Sequence, residues 1–166
     1  VSVHAQSSSA LIGNWLLNEQ LSDNTDKKVE IALRESGQKV KRNFFDRRKD
    51  RYRGGPAEQE LYDRISYDNE LHISLQDEQY LFTYADAFSR WVYTDNRSRS
   101  ISLNALESVE DFSLGHWDKG KFLVETHPRD GGFAEETYTL SEADKRLSVT
   151  LYIMPRTFTV PIELTR

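Results

Sequence analysis

The chain of 166 residues contains no cysteine and carries fewer basic than acidic side chains, 22 Lys and Arg against 27 Asp and Glu. The missing cysteine excludes a disulfide framework, a thiolate metal site and a cysteine nucleophile. The formal net charge of -5 gives no overall attraction to nucleic acid, which we do not expect as a partner. No apolar run approaches the ~18 residues of a membrane-spanning helix.

Recognisable catalytic and metal-binding patterns are also missing. No Gly-x-Ser-x-Gly elbow occurs. A metal site needs three or four converging ligands, and the turn at 118–120 places His116 and His127 several rungs apart. The 27 acids produce carboxylate pairs by chance, and Glu135 and Glu136 point to opposite faces of a strand. We therefore predict no catalytic residue, metal or cofactor, and keep a hydrolase or isomerase acting at the mouth of a barrel as the alternative.

Apolar and polar residues alternate with period two along most of the chain, which is typical of strands with one buried face. The clearest runs are 71–75, 80–84, 112–117, 121–127, 133–140 and 147–153. Short links join them, and Asp118-Lys119-Gly120 predicts a tight turn. The pattern predicts an all-β fold, an up-and-down antiparallel β-barrel of roughly eight to ten strands.

The segment 29–34 is open to two interpretations. Val29-Glu30-Ile31-Ala32-Leu33-Arg34 alternates, with Ala32 as an interruption, and a link containing Gly37 leads to a second alternating run at 40–44. This favours a hairpin. A helix is the alternative, because it also accepts Val29 and Leu33 on one face.

The chain predicts one domain, at residues 11–166, without an internal linker. Val3-His4-Ala5 followed by Gln6-Ser7-Ser8-Ser9 has the small residues and polar start of a secretory cleavage site. We assign residues 1–10 to a signal-peptide remnant or a disordered N-terminus. The expected location is periplasmic or secreted.

Several short motifs, in this order, resemble a family of bacterial secreted proteins of unassigned function with a lipocalin-like β-barrel. They are Gly13-Asn14-Trp15-Leu16-Leu17-Asn18, Ser22-Asp23, Tyr93-Thr94-Asp95-Asn96-Arg97, Trp117-Asp118-Lys119-Gly120, Leu123-Val124-Glu125-Thr126, Glu136-Thr137-Tyr138-Thr139-Leu140-Ser141 and Leu147-Ser148-Val149. The resemblance covers residues 11–23 and 91–153. It implies a lipocalin-like barrel outside the cytoplasm, in which Trp15 plugs one end and Gly13 lets the ring pack against the backbone. It implies no substrate.

An aromatic stretch supplies the candidate ligand site. Its rings either line a cavity or fill the barrel, and the neighbouring arginines are the natural polar partners in both cases. The candidate residues are Tyr80, Phe82, Tyr84, Arg90, Trp91, Tyr93 and Arg97.

A basic cluster in an otherwise acidic chain is a candidate anion or lipid-headgroup site, made of Arg47, Arg48, Lys49, Arg51 and Arg53. The alternative is a solvated loop, partly neutralised by Asp46 and Asp50.

These patterns together favour a non-enzymatic extracytoplasmic barrel that binds a small apolar or amphipathic ligand. A structural or protein-interaction module of the bacterial envelope, with a filled barrel, is the alternative. The patterns indicate no particular oligomeric state.

Overall fold

A computed structural model describes residues 8–38, 69–85, 89–94, 112–127 and 132–166 of the chain. Nine strands form a single sheet in which their spatial order equals their order in the sequence, and the sheet curls into a half-barrel. The strands are β1 (Gly13–Leu16), β2 (Glu70–Gln76), β3 (Gln79–Tyr84), β4 (Ser89–Tyr93), β5 (Phe112–Asp118), β6 (Lys121–His127), β7 (Phe133–Ser141), β8 (Arg146–Met154) and β9 (Ile162–Thr165). A 3-10 turn (Ser8–Leu11) precedes β1, and one helix, α1 (Thr25–Glu35), follows it. The predicted all-β, up-and-down, barrel-like architecture is confirmed.

One strand pair departs from the antiparallel pattern. Neighbouring strands run antiparallel throughout the described sheet except for β4 and β5, which are parallel, with Val92 opposite Ser113 and Tyr93 opposite Leu114. A parallel pair needs a connection of about a dozen residues or more to return the chain to its starting end. Residues 94–111 separate the two strands, so the connection is long enough for this return.

Two tight turns connect the strands of the hairpins β2–β3 and β5–β6. Asp77 and Glu78, between β2 and β3, have φ values of 49° and 66°, and Lys119 and Gly120, between β5 and β6, have φ values of 47° and 80°. Two successive residues with positive φ match the right-handed twist of the flanking strands. The turn predicted at 118–120 is confirmed.

The preferred strand at 29–34 is wrong, because this segment belongs to helix α1. Asn24 caps the helix, its side chain accepting a hydrogen bond from the Lys27 backbone N–H. Val29, Ala32 and Leu33 are buried, whereas Ile31 is 44% exposed. The spacing i, i+3, i+4 puts the three buried residues on one helical face. Ala32 is therefore the residue that completes the helical face.

Alternation in each strand gives the half-barrel an inner face that carries nearly all of its buried side chains. One apolar cluster on this face surrounds Tyr80, Phe82 and Phe122. A second cluster joins α1 to β7, β8 and β9 through residues such as Leu33 and Ile162. Helix α1 therefore covers one part of the inner face, the cluster around Tyr80 fills another, and a functional site can form only beside them.

Trp15 and Gly13, the two residues predicted to have a structural role near the N-terminus, both lie in the described part of the chain. Trp15 is half-buried against the cluster around Tyr80, and its indole N–H donates to the Leu11 carbonyl oxygen over 3.0 Å. Gly13 has φ of 150°, and no atom lies within 4 Å of the position that a Cβ would occupy. The prediction that Gly13 makes room for the Trp15 ring is wrong. Its role is the backbone conformation, which other residues rarely adopt.

Candidate functional site: a cavity that ends at a buried ion pair

Strand β4 directs an arginine into the interior of the half-barrel. Arg90 lies opposite Phe82 in β3 and shares the inner face with Val92, while Ser89 and Trp91 are exposed on the outer face. Only 7% of Arg90 is accessible to solvent. A buried guanidinium needs charge and hydrogen-bond partners, and strands distant in the sequence supply them here.

All five N–H donors of the Arg90 guanidinium have acceptors. Nε donates to the Tyr84 hydroxyl over 2.9 Å. Nη2 donates to Glu136 Oε1 over 2.6 Å and to the Tyr138 hydroxyl over 3.3 Å. Nη1 donates over 3.3 and 3.5 Å to the hydroxyls of a linked pair on β5 and β6, Ser113 and Thr126. We call these residues the Arg90 network: Tyr84, Arg90, Ser113, Thr126, Glu136 and Tyr138.

Electrostatics hold the network in one protonation state. Burial opposes the charge of Arg90, but the Glu136 carboxylate and other neighbours outweigh it, and the pKa of Arg90 lies well above its ordinary value. Burial, followed by the nearby Glu136 carboxylate, raises the pKa of Tyr138 well above 10.0. Tyr138 is therefore a neutral phenol at physiological pH, and it donates to Glu136 Oε1 over 2.9 Å. The network contains one cation, one anion and neutral hydroxyls.

A cavity of about 490 Å³ ends at this network. Its most buried lining residues, Tyr84, Glu136, Tyr138 and Leu151, form its base. Half-buried residues form its walls, which are mainly apolar: Trp15, Leu17, Ser22, Leu71, Leu147, Ser148, Val149 and Arg166. Exposed residues form its mouth: Leu16, Asn18, Leu21, Asn69, Asp144, Lys145, Arg146 and Thr165. The cavity therefore runs from a mixed mouth through apolar walls to a polar base.

The segment that follows β1 brings the two ends of the described sheet together at this mouth. The Asp23 backbone N–H donates to the Thr165 carbonyl, and the Thr165 N–H donates to the Asp23 carboxylate, both over 2.8 Å. These bonds hold the loop 17–24 beside β9. Leu16 and Leu21 flank the opening and are 78% and 59% exposed.

The structure separates the predicted ligand-site residues into three groups. Tyr84 is at the cavity base and Arg90 lies directly behind it, whereas Tyr80 and Phe82 are packed in the apolar core. Trp91 lies opposite Leu81, on the face away from Tyr80 and Phe82. It is 39% exposed, and Tyr93, two residues later, is half-buried on the same outer side. Arg97 lies outside the described residues.

The anion-site candidates Arg47, Arg48, Lys49, Arg51 and Arg53 also lie outside the described residues. Within the described ranges, no group of three His, Asp or Glu side chains is placed to hold a metal ion. The described part of the chain also has no helix that is both long and apolar enough to cross a membrane.

Sequence reasoning missed the acidic member of the site. Glu136 sits between Ala134 and Tyr138 on the inner face of β7, and the alternate residues Glu135 and Thr139 are exposed. A carboxylate on the otherwise apolar face of a strand is the signal that could have identified it. The cavity walls from the β7–β8 hairpin were missed as well, because the cavity is formed by residues far apart in sequence.

Comparison of the chain with models of protein families, with curated proteins and with solved structures gives no match.

Proposed function

We propose that this protein binds a small amphipathic molecule in the interior of its half-barrel and that it does so without catalysing a reaction. The cavity carries this proposal. Its volume of about 490 Å³ is within the range of small-molecule sites, roughly 300–1,000 Å³. Such sites combine apolar walls with a few placed polar groups, and the walls and base described above have this composition.

The mouth supports the same interpretation. Exposed leucines are unfavourable in water, and Leu16 and Leu21 stand together at the opening. An apolar ligand that enters there passes from these side chains to Leu71, Leu147 and Val149 on the walls. The alternative, a structural or protein-interaction module with a filled barrel, assigns no role to this space.

The family and the location belong to the same proposal. The ordered motifs of residues 11–23 and 91–153 support a lipocalin-like protein, and the curled sheet agrees with that fold. The pattern Val3-His4-Ala5 supports a periplasmic or secreted location. N-terminal sequencing of the protein from its native host tests the location: a start at Gln6 supports export, and an uncleaved cytoplasmic form contradicts it.

Titration with N-phenyl-naphthylamine, a neutral apolar fluorescent probe, tests binding. We expect saturable binding with a dissociation constant in the micromolar range, or about -8 kcal/mol. Binding should change the emission of Trp15, which lines the cavity, so Trp15→Phe should remove most of the tryptophan response and Trp91→Phe should preserve it.

A cavity-filling variant provides the matched control. Leu147→Trp places a large ring in the cavity wall, and Leu81→Trp places the same ring on the outer face, where Leu81 lies opposite Trp91. We expect the first substitution to weaken probe binding at least tenfold and the second to leave it unchanged. Absence of saturable binding to the unmodified protein contradicts the proposed function and favours the structural module.

A further inference from the structure

We propose that the ligand is a single-chain amphipathic anion that binds tail first, with its apolar end at the cavity base and its anionic head at the mouth beside Lys145, Arg146 and Arg166. This inference rests on the proposed function, because it specifies the charge and the orientation of the molecule bound in the same cavity. Two observations carry it: the base is closed to charged groups, and more basic than acidic side chains line the mouth.

The charges at the base of the cavity are already paired with each other. Glu136 Oε1 accepts from Arg90 Nη2 over 2.6 Å and from the Tyr138 hydroxyl over 2.9 Å. The side chains of Arg90 and Glu136 are only 6% and 4% exposed. A charged ligand end at this depth would be buried without a counter-charge of its own, which is strongly unfavourable. An apolar end avoids this cost and extends the contacts made by wall residues such as Leu71 and Leu147.

Basic side chains outnumber acidic ones at the mouth and the adjoining wall. Among the described residues that line this part of the cavity, Lys145, Arg146 and Arg166 are cationic and Asp144 is anionic. The Asp144 carboxylate accepts a hydrogen bond from the Ser141 hydroxyl over 3.0 Å. The whole chain has a formal net charge of -5, so the side-chain charge at the mouth is opposite in sign to that of the protein. Such a local excess attracts an anion to the opening.

The fold holds these three cations beside one opening. Lys145 lies in the β7–β8 turn with φ of 47°, and Arg146 begins β8. The backbone N–H and carbonyl of Arg166 both bond to Val149 of the cavity wall over 2.8 Å. Lys145 and Arg146 are exposed and Arg166 is half-buried. A head group beside them therefore keeps part of its hydration.

Exposed leucines share the mouth with these cations. Leu16 and Leu21 are 78% and 59% exposed and line the same opening. An alkyl chain that leaves the cavity there covers apolar surface, while its anionic head meets the basic side chains. A cationic head would be repelled, and a purely apolar molecule would gain nothing from the charges.

Three ligands with the same decyl chain test the charge preference: undecanoate, decanol and decylammonium, each competed against N-phenyl-naphthylamine at neutral pH and low salt. We expect undecanoate to bind about fivefold more tightly than decanol, an effect of the size that two exposed ion pairs give. Decylammonium should bind most weakly. Undecanoate that binds no more tightly than decanol overturns the inference, as does decylammonium that binds more tightly than decanol.

A ligand with a charge at both ends tests the orientation. Undecanedioate carries a second carboxylate in place of the methyl end of undecanoate, so tail-first binding would bury that carboxylate at the base. We expect undecanedioate to bind about tenfold more weakly than undecanoate, or weaker still. Equal affinities would contradict the orientation, because the base would then accept a charge.

Matched double variants assign the preference to the mouth. Lys145→Gln with Arg146→Gln removes two cations from the mouth, and Lys27→Gln with Arg34→Gln removes the same charges from exposed positions of helix α1. Thermal melting checks that both variants fold. We expect the first pair to remove most of the advantage of undecanoate over decanol and the second pair to preserve it. Equal advantages in both variants would contradict the assignment to the mouth.

The fluorescent probe separates the two levels of the proposal. If N-phenyl-naphthylamine itself does not bind to the unmodified protein, the proposed function fails. If the probe binds and undecanoate has no advantage over decanol, only this inference fails.

Discussion

At the residue scale, the properties of the site depend on one arginine and one glutamate from strands β4 and β7. A buried ion pair gains little over an apolar pair, because both charges lose their hydration. Removing one partner is much more costly, since the other charge then stays buried without compensation. The hydroxyls around Arg90 satisfy its remaining donors, and the arginine is therefore tolerated in the core.

Loss of Arg90 alone should destabilise the protein more than loss of the whole pair. We expect Arg90→Met to lower the free energy of unfolding by about 3–5 kcal/mol, because Glu136 remains buried as an uncompensated anion. The double variant Arg90→Met and Glu136→Met should recover at least half of that loss. Urea unfolding of the three proteins measures both values. A double variant less stable than Arg90→Met would contradict this account of the pair.

Stability should fall at alkaline pH because of Tyr138. Burial, with the Glu136 carboxylate, raises the pKa of Tyr138 in the folded protein above 10.0, its value in an unfolded chain. The folded state then binds the proton more tightly, so this contribution to stability is complete below pH 10 and decreases as the pH rises above it. Urea unfolding at several pH values measures the slope.

The control for this pH dependence is a tyrosine on the other face of the sheet. Tyr138→Phe should reduce the alkaline loss of stability, and Tyr152→Phe should leave it unchanged, since Tyr152 stacks on Phe133 away from the network. Equal slopes in all three proteins would show that Tyr138 makes no contribution.

At the scale of secondary structure, helix α1 limits how much of the inner face is open. Its buried residues pack on β8 and β9 beside Leu151, which belongs both to that cluster and to the cavity base. The helix therefore packs behind Leu151, on one side of the cavity base. Gln38 follows the C-terminal end of the helix and attaches it to the segment after β8. Its side-chain amide donates to the Thr157 carbonyl oxygen over 2.8 Å.

A pair of substitutions in α1 distinguishes the helix from the strand that alternation favoured. Leu33→Ala should lower the free energy of unfolding by about 2–5 kcal/mol, because Leu33 is fully buried. Ile31→Ala should cost much less, because a helix turns Ile31 toward solvent. A strand would bury both residues equally. Equal losses in chemical denaturation would therefore contradict the helix.

At the scale of the whole molecule, the curled sheet creates the cavity by bringing distant segments together. The lining includes Trp15 from β1, Leu71 from β2, Tyr84 from β3, and residues of the β7–β8 hairpin. None of these segments encloses a ligand alone. Binding and folding are therefore coupled, since a ligand that fills the cavity contacts only the folded protein.

A bound ligand should stabilise the folded protein by an amount that its affinity determines. At a free concentration of N-phenyl-naphthylamine 100 times its dissociation constant, we expect the free energy of unfolding to rise by about 2.7 kcal/mol. The variant Leu147→Trp, with its cavity filled, should show no such rise. Urea unfolding with and without the probe measures the difference. An equal effect on both proteins would show that the probe acts outside the cavity.

The sequence by itself determined most of the strands and turns, because these depend on local patterns. Period-two alternation identifies β3, β6 and β8, and the Asp118-Lys119-Gly120 turn follows from the conformational freedom of glycine. Alternation could not assign residues 29–34, since a short apolar run suits a helix or a strand equally.

Only the tertiary structure decided the site. Arg90 and Glu136 are 46 positions apart, and they meet because both side chains point to the inner face of the curled sheet. The same alternation turned Trp91 outward and left Tyr80 and Phe82 in the core. A charged residue within a strand pattern is normally assigned to solvent, and its burial becomes favourable only when partners from other strands satisfy it. Those partners depend on pairing between distant segments, which no local pattern in the chain specifies.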